Sequence, residues 1–205
     1  MGEFWEDAFA SKQVMWGRGP TRSALLARDR LLRAGAKDVL VPGVGYGRNA
    51  KVLVDAGMSV TGIEISQTAI ALARSQLGLD IPIHHGSVTD MPFDDKQYDA
   101  VFCFGLLYLL DASARAGVLR ACYRQLRLGG HMIFSVISKR APMYGQGEKL
   151  AEDWYRMPYG VELFFYDDAS IEREFGPYGL REHAEIDEPT GGTIHPFINA
   201  ICVRT

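Results

Sequence analysis

Apolar positions recur along this chain in two alternating textures. Short all-apolar runs, of the kind buried on both faces of a parallel sheet, alternate with stretches whose apolar residues return every three or four positions, as a helix with one buried face requires. Residues 22 to 34 have the helical spacing (Leu25, Leu26, Leu31, Leu32) and stop at Gly35. Asp38 to Pro42 reads as the first strand. A helix from Arg48 to about Gly57 leads to a second strand, Ser59 to Ile65, and Ser66 caps a helix over Gln67 to Leu77 that Gly78 closes. Ile81 to His85 is a third strand and Tyr98 to Phe104 a fourth. Asp111 caps a helix to Leu126, and Gly129-Gly130 turns into a fifth strand, His131 to Ser138.

The texture then changes. Lys139 to Gly160 carries two prolines, three glycines and several aromatics without clean periodicity. It is longer than an ordinary connection, and its Met143, Tyr144, Trp154, Tyr155 and Met157 predict an ordered segment over a ligand. A short helix opens at Asp168 or Ser170 and runs to Phe175. Gly179 to Ile186 and Thr193 to Val203 close the sheet as an antiparallel pair. Alternation of this kind predicts one doubly wound α/β domain over residues 1–205, with helices on both faces and ligands bound beyond the carboxyl ends of the strands.

Composition narrows the partners. In 205 residues, Lys plus Arg (22) nearly balances Asp plus Glu (25), for a formal charge of −3, which gives no basic stripe for a nucleic acid. Cys103, Cys122 and Cys202 lie far apart in apolar runs, without CxxC or histidine spacing suited to zinc, so inert buried thiols and no metal are expected. No apolar run has membrane-spanning length, and the acidic start, Met1 to Asp7, lacks a signal pattern. The expectation is a cytoplasmic monomer or homodimer acting on a small molecule.

The chemistry is concentrated in Val39-Leu40-Val41-Pro42-Gly43-Val44-Gly45-Tyr46-Gly47 and in Glu64. A buried strand ends in a glycine turn whose backbone N–H groups can approach a ligand. An acid about twenty residues on can accept from both hydroxyls of a ribose. A dinucleotide fingerprint would need a glycine where Arg48 stands. That weakens the alternative of an NAD-dependent oxidoreductase. A non-catalytic nucleoside-binding domain is a further alternative.

G-x-G-x-G at Gly43, Gly45 and Gly47 instead resembles motif I of the class I S-adenosylmethionine-dependent methyltransferases. Gly86 to Phe93 is similar to the family's G-D-A-x-x-L-P-F, and Leu126 to Gly130 to its L-[KR]-P-G-G, so the resemblance spans about Val39 to Ser138. It implies a Rossmann-like seven-stranded, mostly parallel sheet with an antiparallel last strand, and S-adenosyl-L-methionine as cofactor. Glu64 would then hold the ribose, Ile65 one face of the adenine, Ser87 and Val88 its edge, and the Phe104 carbonyl the cofactor's ammonium. Val41-Pro42 before the turn resembles the thiopurine, thiol and halide branch, in which an N-terminal tryptophan region covers the cofactor. Trp16 and residues 1–20 would form that lid. Gly47 to Ala50 resembles the tellurite-resistance branch. The resemblance implies in-line methyl transfer to a small molecule, a thiol or other soft nucleophile among the options. Tyr108 is placed nearest the reacting centre. Tyr144, Trp154 and His195 are placed around the acceptor, with residues 139–167 as a substrate-covering insertion.

Overall fold

The computed structural model describes residues 2–190 and 193–205. In chain order the strands are β1 (Asp38–Pro42), β2 (Ser59–Glu64), β3 (Ile83–His85), β4 (Tyr98–Phe104), β5 (Leu126–Ile137), β6 (Glu148–Ala151), β7 (Trp154–Arg156), β8 (Glu162–Phe164), β9 (Leu180–Thr190) and β10 (Thr193–Val203). Seven of them form one sheet in the order β3-β2-β1-β4-β5-β10-β9. Pairing is parallel from β3 to β5, and β10 runs antiparallel to both of its neighbours. The expected mostly parallel sheet with an antiparallel last strand is what forms. Strand order reverses at β1 and β4, and the glycine turn follows β1 at this switch point.

Helices α1 (Gly2–Lys12), α2 (Arg22–Arg33), α3 (Arg48–Asp55), α4 (Gln67–Leu77), α5 (Ala112–Arg124) and α6 (Asp168–Phe175) complete the layers. Alternation along β4 divides the core. Ala100 and Phe102 meet Leu31 of α2 and Leu53 of α3, whereas Val101 and Cys103 meet Val118 and Leu119 of α5 and Ile171 of α6. All three cysteines are buried, and burial pushes the Cys122 and Cys202 thiols up to about 12. Among the described residues, no helix is long and apolar enough to cross a membrane.

Beyond shifts at the ends of β2, α5 and β9, four differences from the sequence reading have a physical reason. β3 begins at Ile83 rather than Ile81, because Pro82 has no N–H to give to a ladder. β5 begins at Leu126 rather than His131: Leu126 pairs with Tyr98, and Gly129, with φ +76°, sits in a register shift within the strand rather than in a turn before it. Residues 2–12 are helical, yet only Phe9 is buried, so they lack an apolar stripe to read. The segment 139–160 contains β6 and β7, which with β8 make a three-stranded antiparallel sheet. Strands of three or four residues are too short to show alternation.

This small sheet is pinned to the main body by charge. Lys139 Nζ lies 2.7 Å from Asp153 Oδ2 and 2.6 Å from Asp167 Oδ2, and the Tyr144 hydroxyl donates to Asp153 Oδ1 at 2.7 Å. The Lys139 bond holds the Asp167 carboxyl down at about 2. Its stabilising contribution is therefore fully present above the ordinary value of 3.8 and lost as the pH falls toward 2. Lys139→Met is expected to lower stability by about 1–3 kcal/mol, because it leaves the buried Asp153 carboxylate without its cation. Urea unfolding checks this, and an unchanged midpoint would mean that water already solvates these charges.

Candidate active site

A cavity of about 430 Å³ opens at the carboxyl ends of β1, β2 and β4. Its first wall is the glycine turn. Gly43, Gly45 and Gly47 have φ of +65°, +57° and +85°, where an L side chain is strained. A Cβ at Gly45 would meet only the Phe9 ring, at 3.8 Å, so the backbone is bare toward the cavity. At Gly47 a Cβ would run into Leu79, so this glycine is required by packing as well as by φ.

Glu64 ends β2 beside this turn, buried to 6% exposure. Its Oε2 accepts from Gly45 N at 2.8 Å, and its Oε1 accepts from Ile65 N and Ser66 N, both at 2.9 Å. Burial pushes its pKa up, the three N–H bonds pull against that, and nearby Glu6 adds to the rise. The carboxylate is thus fixed in direction while still lining the cavity. Ile65, Val88 and Phe104 line it too, as does Ser87, whose Oγ already bonds Thr89 Oγ1 at 2.7 Å and accepts from Thr89 N.

The N-terminal segment closes one side. Phe9 packs edge-on against Tyr46 and Trp16, and Trp16 stacks on Tyr46 at 6.1 Å. The Tyr46 hydroxyl donates to Gly17 O at 2.8 Å, and Arg48 Nη1 donates to Trp16 O at 2.7 Å. Arg48 thus anchors the Trp16 loop. Glu6 accepts from Ser66 Oγ at 2.6 Å and from Thr68 at the start of α4, where the helix dipole favours an anion.

Tyr108 and His195 line the other end of the same cavity. Burial raises the Tyr108 phenol well above its ordinary value, and its hydroxyl has no hydrogen-bond partner among the described residues. The structure does not bring Tyr144 or Trp154 into the cavity. Tyr144 is turned to Asp153 and packs on Tyr155 and Phe165, while Trp154 packs on Phe164 with the Arg115 guanidinium 5.8 Å from its ring. The insertion reaches the cavity instead through Met143, Tyr159, Val161 and Leu163. Sequence reasoning also missed Phe4, Trp5 and Phe9, whose signal was the aromatic density of residues 4–16, and Tyr46, which sits inside the glycine motif itself. His84 and His85 are structural: His84 Nε2 lies 3.1 Å from Asp94, and His85 Nε2 lies 3.1 Å from Ile65 O.

The turn, the fixed carboxylate and the apolar flanks Ile65 and Val88 fit a ribose-bearing adenosyl group. Residues 40–134 match the family described as a methyltransferase domain. A ubiquinone biosynthesis O-methyltransferase of Pseudomonas entomophila (strain L48) is 31% identical over 124 residues, covering 57% of this chain and 51% of that protein. The chain thus spans about half the length of that curated relative. Among solved structures, one described under conversion of a disulfide bond into a thioacetal group during echinomycin biosynthesis superposes with a TM-score of 0.76 at 21% identity, covering 100% of this chain and 93% of that one. The Burkholderia thailandensis 1,6-didemethyltoxoflavin-N1-methyltransferase, with 1,6-didemethyltoxoflavin and S-adenosylhomocysteine bound, gives 0.75 at 15% identity, covering 98% and 87%.

Proposed function

We propose that this chain is a class I S-adenosylmethionine-dependent methyltransferase, a reading its fold and the match over residues 40–134 support, and that it transfers a methyl group from S-adenosyl-L-methionine to a small molecule held between Tyr108 and His195. The observation that carries this reading is the continuity of one cavity. It joins the glycine turn and Glu64 at one end to Tyr108 and His195 at the other.

When bound, the cofactor supplies a methyl carbon already activated toward displacement. The protein's work is then to hold, align and keep dry. Glu64 accepts from the ribose hydroxyls on lone pairs its backbone donors leave free. Ile65 would pack on one face of the adenine, Ser87 and Val88 would meet its edge, and the Phe104 carbonyl would take the ammonium. The bare backbone at Gly45 would let the methionine portion lie against the chain, while Gly43 makes room for Leu106. Residues 1–20, through Trp5, Phe9 and Trp16, serve as a lid that excludes water. The segment 139–167 covers the acceptor through Tyr159, Val161 and Leu163 rather than through Tyr144 and Trp154. Tyr108 lies beside the reacting centre and orients the acceptor by hydrogen bonding, since burial keeps its phenol protonated.

Calorimetric titration tests the reading. S-adenosylhomocysteine is expected to bind at one site per chain, and NADH is expected to give no comparable heat. Tighter binding of NADH would restore the oxidoreductase alternative. Cofactor binding without methylation of any acceptor in a broad panel would favour a nucleoside-binding domain.

A further inference from the structure

We infer that the acceptor is a neutral, largely apolar molecule whose nucleophile carries a proton, an aromatic hydroxyl or a ring N–H, and that His195 takes that proton. This rests on the methyltransferase reading and concerns what the acceptor end of the cavity will admit.

The charge distribution carries the first step. The charged residues lining the cavity are Lys12, Arg48 and Glu64, contributed by α1, the start of α3 and the end of β2. The other end is built from Tyr108, Leu109, Ile137, Tyr159, Leu163 and Phe197, with His195 among them. Among the described lining residues this end has no lysine, arginine or carboxylate. An oxyanion or thiolate entering it would lose water and find no protein cation in return, only the charge of the cofactor itself. A flat neutral molecule is accommodated. Phe104 and Phe197 stack at 4.9 Å, and Tyr108 stands edge-on to Phe197 at 6.0 Å, which together make an aromatic wall.

A neutral hydroxyl or N–H must lose its proton as it is methylated. The polar side chains at this end are the Tyr108 and Tyr159 hydroxyls and the His195 ring. Burial raises the Tyr108 phenol above its ordinary value, so it remains a protonated donor, and Tyr159 is exposed at the rim. A neutral imidazole has a ring nitrogen that accepts. The groups around it leave it free for this role. Glu188, its register partner on β9, is buried and spends its carboxylate on Arg22 N at 2.8 Å and Ser23 N at 2.6 Å. Arg48 lies close enough to feel the Glu188 charge, Lys12 and Glu64 line the cavity from α1 and the end of β2, and Tyr108 and Tyr159 line it with His195.

The step balances. The acceptor's oxygen or nitrogen bonds to the methyl carbon as the carbon–sulfur bond breaks, its electron pair leaving on sulfur. The acceptor proton passes to the free nitrogen of His195 and then to solvent. The sulfonium charge is thereby exchanged for a proton.

A series of phenols of graded acidity, from phenol to 4-nitrophenol, tests this with intact wild-type protein and His195→Gln. The variant should bind S-adenosylhomocysteine as the wild type does, which certifies its fold. It should lose at least about 100-fold in turnover of phenol but far less with 4-nitrophenol, which ionises without help. A second reading needs no turnover. With S-adenosylhomocysteine present, bound 4-nitrophenol should show its phenolate absorption at lower pH in the wild type than in the variant, because imidazolium stabilises the anion. Equal loss across the series, an unshifted titration of the bound dye, or methylation of thiols with none of phenols would overturn the inference. Failure of the wild type to bind S-adenosylhomocysteine would instead bring down the methyltransferase reading, and this inference with it.

Discussion

Arg115→Ala is expected to lower the unfolding free energy by about 3–5 kcal/mol, the usual consequence of removing one partner of a buried ion pair. Arg115 is 4% exposed. Its Nε and Nη2 donate to the Glu174 carboxylate at 2.9–3.2 Å, and its Nη1 donates to Leu110 O at 3.0 Å. The guanidinium carbon sits 3.9 Å from the centroid of Phe164, and the Tyr166 hydroxyl donates to Glu174 Oε2 at 2.9 Å. One side chain therefore ties α5 to α6 and to β8 of the insertion. Alanine leaves Glu174 largely buried with only Tyr166 as partner, and opens a void against Phe164 and Trp154. Urea unfolding reads the loss. The pair need not be worth as much in total, because apolar replacements of similar volume often match buried ion pairs. Arg115→Met combined with Glu174→Leu should therefore recover most of the stability that Arg115→Ala loses. If the single variant loses less than about 1 kcal/mol, the pair behaves as a solvated surface contact.

The contrast between what was legible in the sequence and what was not follows the range of the interactions. The strand, glycine turn, helix and Glu64 are specified within 26 residues, by local φ requirements and caps that leave a mark on residue type. Ser66 and Asp111 are N-caps as expected, accepting from Ala69 N and Ala114 N. Tyr108 was placed by its position just after β4, at the switch point, and both it and His195 line the cavity. Tyr144 and Trp154 were misplaced because their surroundings are set by distant partners. Lys139 and Asp167 position Asp153, which captures Tyr144, while Arg115 on α5 captures Trp154. No spacing within residues 139–160 encodes either event. Residues 1–20 were expected to cover the cofactor, but their helix was not legible: α1 buries only Phe9, against α4 and Tyr46, so it shows no apolar stripe.

Glu64→Gln is expected to weaken S-adenosylhomocysteine binding by about 1.5–3 kcal/mol, or about 10- to 150-fold, in calorimetry. The amide oxygen can still accept from Ile65 N and Ser66 N, but the amide nitrogen then faces the Gly45 N–H, donor against donor. The turn and the ribose contact are disturbed together. The pH dependence separates this role from a structural one. Burial raises the Glu64 pKa above the ordinary 4.5, so the native state holds that proton more tightly than the unfolded chain. Its charged form is a stability penalty in full above the raised value, and the penalty disappears as the pH falls toward 4.5. Acidification through this window therefore relieves the fold at Glu64 while neutralising the ribose acceptor. Two other groups act oppositely on stability. His131, held below 6.5 by burial, loses stability as the pH falls below that value, and Glu6, lowered by its Ser66 and Thr68 bonds, does so below 4.5. The difference between wild type and Glu64→Gln cancels the His131 contribution, while Glu6, which repels Glu64, is relieved of that repulsion in the variant. As the pH falls from neutral toward 4.5, the affinity advantage of the wild type should shrink while its melting temperature gains relative to the variant. An affinity ratio constant across that range would mean that the charge on Glu64 does not hold the cofactor, and that its three backbone bonds serve the turn alone.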